Sequence, residues 1–369
     1  MQTELVTLDW NEVHSFFQNH TITALTSSVV KYIPKEFADI KNKWKEAVYS
    51  NVYYYSQIEK QQQCILDVFH DKHILVVVVK GTSAAKYYHK PQLRAMGDID
   101  LLVKPIDYTY AVKCMIDTGC IETTEKAEEK RGRHRSFQYK DVSIELHHYF
   151  ALSEDQEKAD IFDKLIFDAM PTDNTVLPND ENGLILLSHI RQHLDEGLGL
   201  RQIIDWMMFL RSCLDDEVWY TSFKEKAHIT GLEKLAITTT KMCQKYLGLL
   251  PDSLTWCKEA NEEVCDELMQ YVMECGNFGR NRTALQSTEV RKFPQLFHLV
   301  QLFKYLQLRG ERHWKALKKY PWLKPFAWIY QSCRYIKLAF QNKVTPNKLK
   351  AIYDEGNKRN EMFAALGLK

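Results

Sequence analysis

A chain of 369 residues with 49 basic and 48 acidic side chains carries a formal charge of +1, so no global field draws nucleic acid or an acidic membrane to it, and any such attraction must be local. At roughly 100 to 200 residues per domain, this length predicts about two or three domains. Nine cysteines with no C-x-x-C pair argue against a disulfide framework or a cysteine-based zinc site, and predict reduced, mostly buried thiols.

The N-terminal stretch MQTELVTLDWNEVHSFF lacks a basic segment followed by an apolar core and a cleavage site. The longest aliphatic run, Ile74 to Val79, is far shorter than the about 20 residues a bilayer requires. A cytoplasmic protein with no transmembrane segment is expected. Residues 1–70 read as helical. Phe16, Phe17, Leu25, Val29, Val30 and Ile33 recur at helix-like spacings and Pro34 closes that segment. A second helix is expected over Phe37 to Phe69 with a break near Ser50, its inward stripe being Trp44, Val48, Val52, Tyr55, Ile58 and Ile65.

From His73 the period changes. Ile74 to Val79 is a valine-dominated run, the pattern of a strand covered on both faces. Gly81 opens a short helix through Tyr88, which Pro91 ends. Asp98 to Val103 is a second strand, Pro105 opens a helix to about Gly119, and Glu122 to Arg135 is an exposed loop or strand edge. Ser136 to Lys140 and Val142 to His148 alternate around Lys140-Asp141 as a hairpin would. After Phe150 the chain reads as helical to its end. Pro171 and Pro178 mark a linker, Leu184 to His193 is amphipathic, Gly197 and Gly199 interrupt it, and Leu200 to Leu214 resumes. Later helices are expected around Phe223 to Leu247, Glu259 to Cys275 and Pro294 to Leu308. The fold class is α+β: a small mixed sheet with helices, flanked by N-terminal helices and a large C-terminal helical region. The expected division is an N-terminal helical segment (1–70), a core (71–150) and a C-terminal helical domain (151–369).

The stretch KGTSAAKYYHKPQLRAMGDIDLLV, Lys80 to Val103, carries the chemistry. Asp98 and Asp100 stand at i and i+2 of a strand and so point to one face. Two carboxylates held that close raise each other's pKa unless something positive lies between them. Oxygen-only ligands favour magnesium or manganese over zinc, and magnesium takes one or two carboxylates plus substrate phosphates. The Gly81-Thr82-Ser83 turn opening a helix supplies backbone N–H groups where such phosphates would lie. Lys80 and Arg94 flank it, either as cations for phosphate charge or as ion-pair partners of the acids. Glu145 interrupts the apolar run Val142 to Leu146, where an ionised group is costly without a partner. A metal would be that partner. In a two-metal arrangement Asp98 and Asp100 bridge both ions, while Glu145 helps hold the one that activates an acceptor hydroxyl. His147 shares the face of Glu145 and either orients it or the substrate, or is an ordinary half-buried histidine.

The order strand, Gly-Thr-Ser turn, helix, Asp-x-Asp strand resembles the core of the DNA polymerase β-like nucleotidyltransferase superfamily. Lys80-Gly81, Arg94, the run Gly97 to Val103, Ile144-Glu145-Leu146-His147 and the run Gly197 to Trp206 resemble more closely a bacterial family of uncharacterised nucleotidyltransferases, over most of residues 70 to 210. The resemblance implies a nucleotidyltransferase-type mixed sheet, with Asp98, Asp100 and Glu145 as the metal-holding catalytic acids. It also implies Mg2+ or Mn2+ as cofactor, an NTP, ATP in the first instance, as donor, and transfer of an NMP to an acceptor with release of pyrophosphate. The interval from the turn to Asp98 is longer than in the superfamily, and Thr82 stands where Gly or Ser is commoner.

His189 and His193 have zinc-ligand spacing, but Ile190 stands where a zinc-protease helix carries its glutamate. In the closer family a histidine helix precedes a Gly-Leu-Arg…Asp-Trp helix, and Gly199-Leu200-Arg201 and Asp205-Trp206 match it here. His189 is thereby a candidate for substrate binding. Arg201 and Asp205 either pair with each other or reach the nucleotide or acceptor.

Between Arg309 and Lys350, basic residues (Arg312, Lys315, Lys318, Lys319, Lys324, Arg334, Lys337, Lys343 and Lys348 besides the two ends) outnumber the acid Glu311 and interleave with aromatics such as Trp314, Trp322 and Trp328. Such a mixture binds RNA by charge plus stacking, rests on an anionic membrane surface, or is the basic outer face of a helical domain. The expectation for the whole chain is a metal-dependent nucleotidyltransferase with an acceptor the sequence does not identify. The alternative is a non-catalytic nucleotide-binding or nucleic-acid/membrane-surface interaction protein.

Overall fold

The valine run becomes the edge strand of a five-stranded sheet. The computed structural model describes residues 8–123, 132–151, 155–250, 254–277, 299–318, 320–341 and 346–368. The strands are β1 (Val76–Val79), β2 (Asp98–Val103), β3 (Ile121–Glu122), β4 (His134–Tyr139) and β5 (Val142–His147), ordered β1-β2-β5-β4-β3. β2 and β5 run parallel, and the other neighbours are antiparallel. The sheet is therefore mixed, and with helices around it the class is α+β. The open edge of β1 is engaged by the linker, where Val78 N–H donates to the Thr175 carbonyl at 2.8 Å.

Period-two alternation gives the sheet two different faces. Val76, Val78, Ile99, Leu101, Val103, Val142, Ile144 and Leu146 form one core with Ile58, Ile65, Leu66 and Phe69 of α2 (Ala38–Asp71), and with Ala111 and Met115. The intervening positions Asp98, Asp100, Glu145 and His147 necessarily take the opposite face. Lys140, with φ +52°, closes the β4–β5 hairpin where the alternation placed it. Residues 124–131 of the charged run lie outside the described residues.

α2 runs 34 residues without the expected break at Ser50. It contains neither Gly nor Pro to interrupt the ladder, and its two halves serve different cores. Ile40 and Trp44 pack with Trp10 and Ile33 at one end, while the sheet takes the other. Between the two, Val52 and Tyr53 are exposed, so Val52 leaves the predicted stripe. The first segment is shorter than its spacing predicts. α1 (Trp10–Asn19), capped by the Asp9 carboxylate, stops before a 3-10 stretch at Ser27–Tyr32 that carries Val29 and Val30.

α3 (Gly81–Ala85) ends three residues earlier than expected, and α4 (Tyr108–Asp117) follows β2. Beyond the sheet come α5 (Gln156–Asp168), α6 (Asn179–Glu196) and α7 (Leu200–Cys213), with Gly197 at φ +121° turning α6 towards α7. The predicted helix from Phe223 to Leu247 is divided by Gly231 at φ +71°, with Lys224–Ile229 before it and α8 (Glu233–Tyr246) after it. α9 (Glu262–Cys275) is the last α-helix of this part of the chain among the described residues.

The chain falls into two units, Met1–Asn281 with Leu366–Lys369, and Arg282–Ala365. In the second, α10 (Leu299–His313) and α11 (Ala327–Gln341) cross so closely that a Cβ on Gly310 would overlap the Ala327 backbone, and α12 (Pro346–Ala365) follows. The expected start of α10 at Pro294 lies outside the described residues, as do Lys319 and Lys343. No helix among the described residues is long and apolar enough to cross a membrane, and the cysteines are all free.

Candidate active site

Asp100 and Glu145 sit side by side in the parallel β2–β5 ladder, and Asp98 precedes Asp100 on the same face. Oxygens of the three carboxylates lie within 4.8 Å of one another. Lys80 directly follows β1, whose Val79 pairs with Asp100. Its backbone takes φ +54°, ψ −135°, a positive-φ conformation that costs a non-glycine residue about 1–3 kcal/mol. The turn brings its Nζ to 2.8 Å from Asp100 Oδ1. His147 Nε2 is 2.9 Å from the same oxygen and 3.3 Å from Glu145 Oε2.

This arrangement makes the two aspartates opposite in character. Burial, together with the Asp100 and Glu145 charges, pushes the Asp98 carboxyl up to about 7. Burial would raise Asp100 as well, but Lys80 and His147 outweigh it and hold that carboxyl well below its ordinary range. Lys80 is buried against this charge, and the attraction of Asp100 and Glu145 keeps its ammonium protonated despite burial. His147 is likewise raised, its loss of hydration being outweighed by hydrogen bonds to Asp100 and Glu145. Asp98 makes no hydrogen bond or ion pair of its own among the described residues. A donor set of carboxylate oxygens, one of them discharged only by taking up a proton, fits a hard divalent cation.

The acids form one wall of a cleft of about 230 Å³, and Lys80, Arg94, Arg201, His189 and His193 contribute to its lining, with Gly81 and Gly97 between. Arg94 is engaged. Its Nε and Nη2 donate to the two oxygens of Asp205, each at 2.7 Å, and Tyr88 donates its hydroxyl to Asp205 Oδ1 at 2.7 Å. The i, i+4 pair between Arg201 and Asp205 that the sequence allows does not form, because Arg94 takes that carboxylate. Arg201 instead donates from Nη1 to the Ala95 carbonyl at 3.2 Å, and its buried Nε has no hydrogen-bond partner among the described residues. Burial and the neighbouring Arg94 charge lower its pKa. An anion in the cleft would satisfy it.

Other candidate residues lie apart from this lining. The Thr82 hydroxyl donates to Gln62 and the Ser83 hydroxyl to Asn182. Neither residue lines the cleft, and neither does Asp205. His189 and His193 face each other, Nε2 to Nε2, at 2.9 Å. Burial and mutual repulsion depress His189, and burial with the Arg201 charge takes His193 down to about 3. Neither belongs to a metal-competent group of three among the described residues, so the zinc reading of their spacing finds no third ligand. Gly97 is fixed by the Tyr54 hydroxyl donating to its carbonyl at 2.9 Å. Two participants escape a linear reading: Tyr88 looks like a helix residue and His134 sits in a charged run. Only its register opposite His147 reveals His134.

A five-stranded mixed sheet that gathers an Asp-x-Asp pair and a glutamate beside a basic cleft defines a metal-competent site suited to phosphoryl chemistry. The sequence model of a family described as uncharacterised nucleotidyltransferase matches residues 7–248, and the chain belongs to that family. No curated protein and no solved structure matches it.

Proposed function

We propose that the chain is a DNA polymerase β-like nucleotidyltransferase that moves a nucleoside monophosphate from an NTP, ATP in the first instance, to an acceptor nucleophile. Asp98, Asp100 and Glu145 would hold Mg2+ or Mn2+. The observation that carries this reading is the meeting of three carboxylates from two adjacent parallel strands. The metal, when bound, neutralises phosphate charge and acidifies the acceptor hydroxyl.

The chain's own residues bind and orient. Lys80 and His147 lock Asp100 in one rotamer, and Arg201 meets the triphosphate with the donor it leaves unused. A cleft of about 230 Å³ is smaller than the roughly 300–1,000 Å³ of pockets that enclose a whole small-molecule ligand, so it suits the phosphates, with sugar and base towards its mouth. The acceptor oxygen attacks the α-phosphorus. As that bond forms, the bond from the α-phosphorus to the α–β bridging oxygen breaks, pyrophosphate departs with the electron pair, and the acceptor proton passes to Glu145, whose side chain is 27% exposed.

A second contact is favoured by the separate unit, where Tyr320, Trp322 and Phe326 are 43%, 69% and 49% exposed. These aromatics, with the basic residues of 309–350, suit RNA or an anionic membrane surface. The test of the main reading is a screen of labelled NTPs with Mg2+ or Mn2+ against cell extract, reading label transfer and pyrophosphate release. Near-wild-type turnover in a doubly substituted Asp98→Ala, Asp100→Ala protein refutes it. Tight NTP binding without metal or pyrophosphate release points to the non-catalytic nucleotide binder.

A further inference from the structure

The sheet face that carries the acids continues past them into two imidazoles. His134 on β4 registers opposite His147 on β5, and Glu145 lies two residues before His147 on the same face. Glu145 thus stands between two ligand sets, with oxygens of Asp98 and Asp100 on one side and nitrogens of His134 and His147 on the other.

His147 Nε2 is 3.3 Å from Glu145 Oε2, and His134 Nε2 is 3.6 Å from Glu145 Oε1. The second distance is too long for a hydrogen bond. Ligands of a tetrahedral ion with bonds of about 2.0–2.2 Å are themselves about 3.3–3.6 Å apart; the two imidazoles approach different oxygens of Glu145, and one ligand atom from each of the three residues lies within 4.8 Å of the others, near enough for an ion to draw them together. Side chains of His134 and Glu145 are 37% and 27% exposed while His147 is 7% exposed. One ligand is therefore anchored and two lie at a solvent-facing rim, which leaves coordination positions open.

We infer that His134, Glu145 and His147 form a second metal site, a two-histidine, one-carboxylate set that takes a divalent transition metal in preference to magnesium. Imidazole suits zinc, copper, iron and nickel, and manganese, though it favours oxygen ligands, accepts imidazole more readily than magnesium, which keeps to oxygen ligands and water. The protein would then combine a hard ion on Asp98 and Asp100 with a nitrogen-ligated ion on the histidine side, sharing Glu145, and binding of the second ion would release the His147 Nε2 proton that contacts Asp100 Oδ1 at 2.9 Å. The inference stands on ligand chemistry and does not require the transfer reaction, although both use Glu145.

The test needs no nucleotide, so its outcome is independent of the transferase reading. The full-length, untagged chain is stripped with EDTA, given one equivalent of Mn2+ in a nitrogen-free buffer, and examined by pulsed EPR for 14N modulation. The expected result is 14N coupling that persists in about a 100-fold excess of Mg2+ and survives Asp98→Asn. His134→Gln, at a part-exposed position that the core does not need, should remove much of the coupling and weaken Mn2+ binding by about tenfold or more; His147→Gln should do the same. Absence of 14N coupling in the wild type, coupling undiminished in His134→Gln, or coupling lost in Asp98→Asn would overturn the inference.

Discussion

Replacing Asp205 by Ala should destabilise the protein severely, although no substrate need touch that residue. The carboxylate is 1% exposed, Arg94 is 2% exposed, and three donors at 2.7 Å converge on Asp205. Truncation would leave a buried guanidinium with no counter-charge, beside the guanidinium of Arg201. Removing one partner of a buried pair costs about 3–5 kcal/mol, and charge-assisted hydrogen bonds at about 1.5–3 kcal/mol each give a similar total after partial relaxation. At roughly 2–4 °C per kcal/mol, the melting temperature falls by on the order of 10 °C. Urea denaturation followed by tryptophan fluorescence reads this directly, since Trp206 is the next residue. An apolar double replacement, Arg94→Met with Asp205→Leu, should recover most of the loss, because two matched apolar groups leave no orphaned charge. A loss below about 1 kcal/mol in Asp205→Ala would refute the assignment of Asp205 as a structural anchor for Arg94.

The two aspartates of the Asp-x-Asp pair should respond in opposite directions in metal-free protein. Asp98 has a folded pKa of about 7 against an ordinary 3.8. It therefore contributes stability below about pH 4 that is lost as pH rises through about 7. Asp98→Asn should stabilise the metal-free chain at pH 8, by up to roughly 4 kcal/mol, with the gain vanishing in acid; thermal melts at the two pH values check it. Asp100→Asn should destabilise at pH 8, because it strips the buried Lys80 of its counter-charge, and urea midpoints separate the two variants. Mg2+ affinity, followed calorimetrically, should rise about tenfold per pH unit below about 7 and level off above, as the ion displaces the Asp98 proton; a flat profile would remove Asp98 from the ligand set. Gly183→Ala should cost about 1–3 kcal/mol in chemical denaturation despite the better helix propensity of alanine, because the new Cβ meets the Phe209 and Phe223 rings at 2.6 and 2.7 Å.

What could be read in the linear chain follows from short-range geometry. A strand has a period of two, so Asp98 and Asp100 had to share a face, and so did Glu145 and His147. The Lys140-Asp141 reversal and the linker prolines are also local signals. The bounds of α2 are legible but its continuity through Ser50 is not, since a helix that serves two separate cores shows no single stripe, and Gly231 divides an otherwise periodic run.

The amino-acid order by itself determined which side chains alternate to one side of each strand, and with it the α+β class and the acidic pair, because those depend only on backbone period and neighbouring residues. Only the tertiary structure decided that Arg94 belongs to Asp205, 111 positions away, that Lys80 curls back to Asp100, that Thr82 and Ser83 turn from the cleft, and that His134 joins the acids. Each of those depends on which buried charge finds which partner once the chain has closed, and burial makes an unmatched choice too costly to keep.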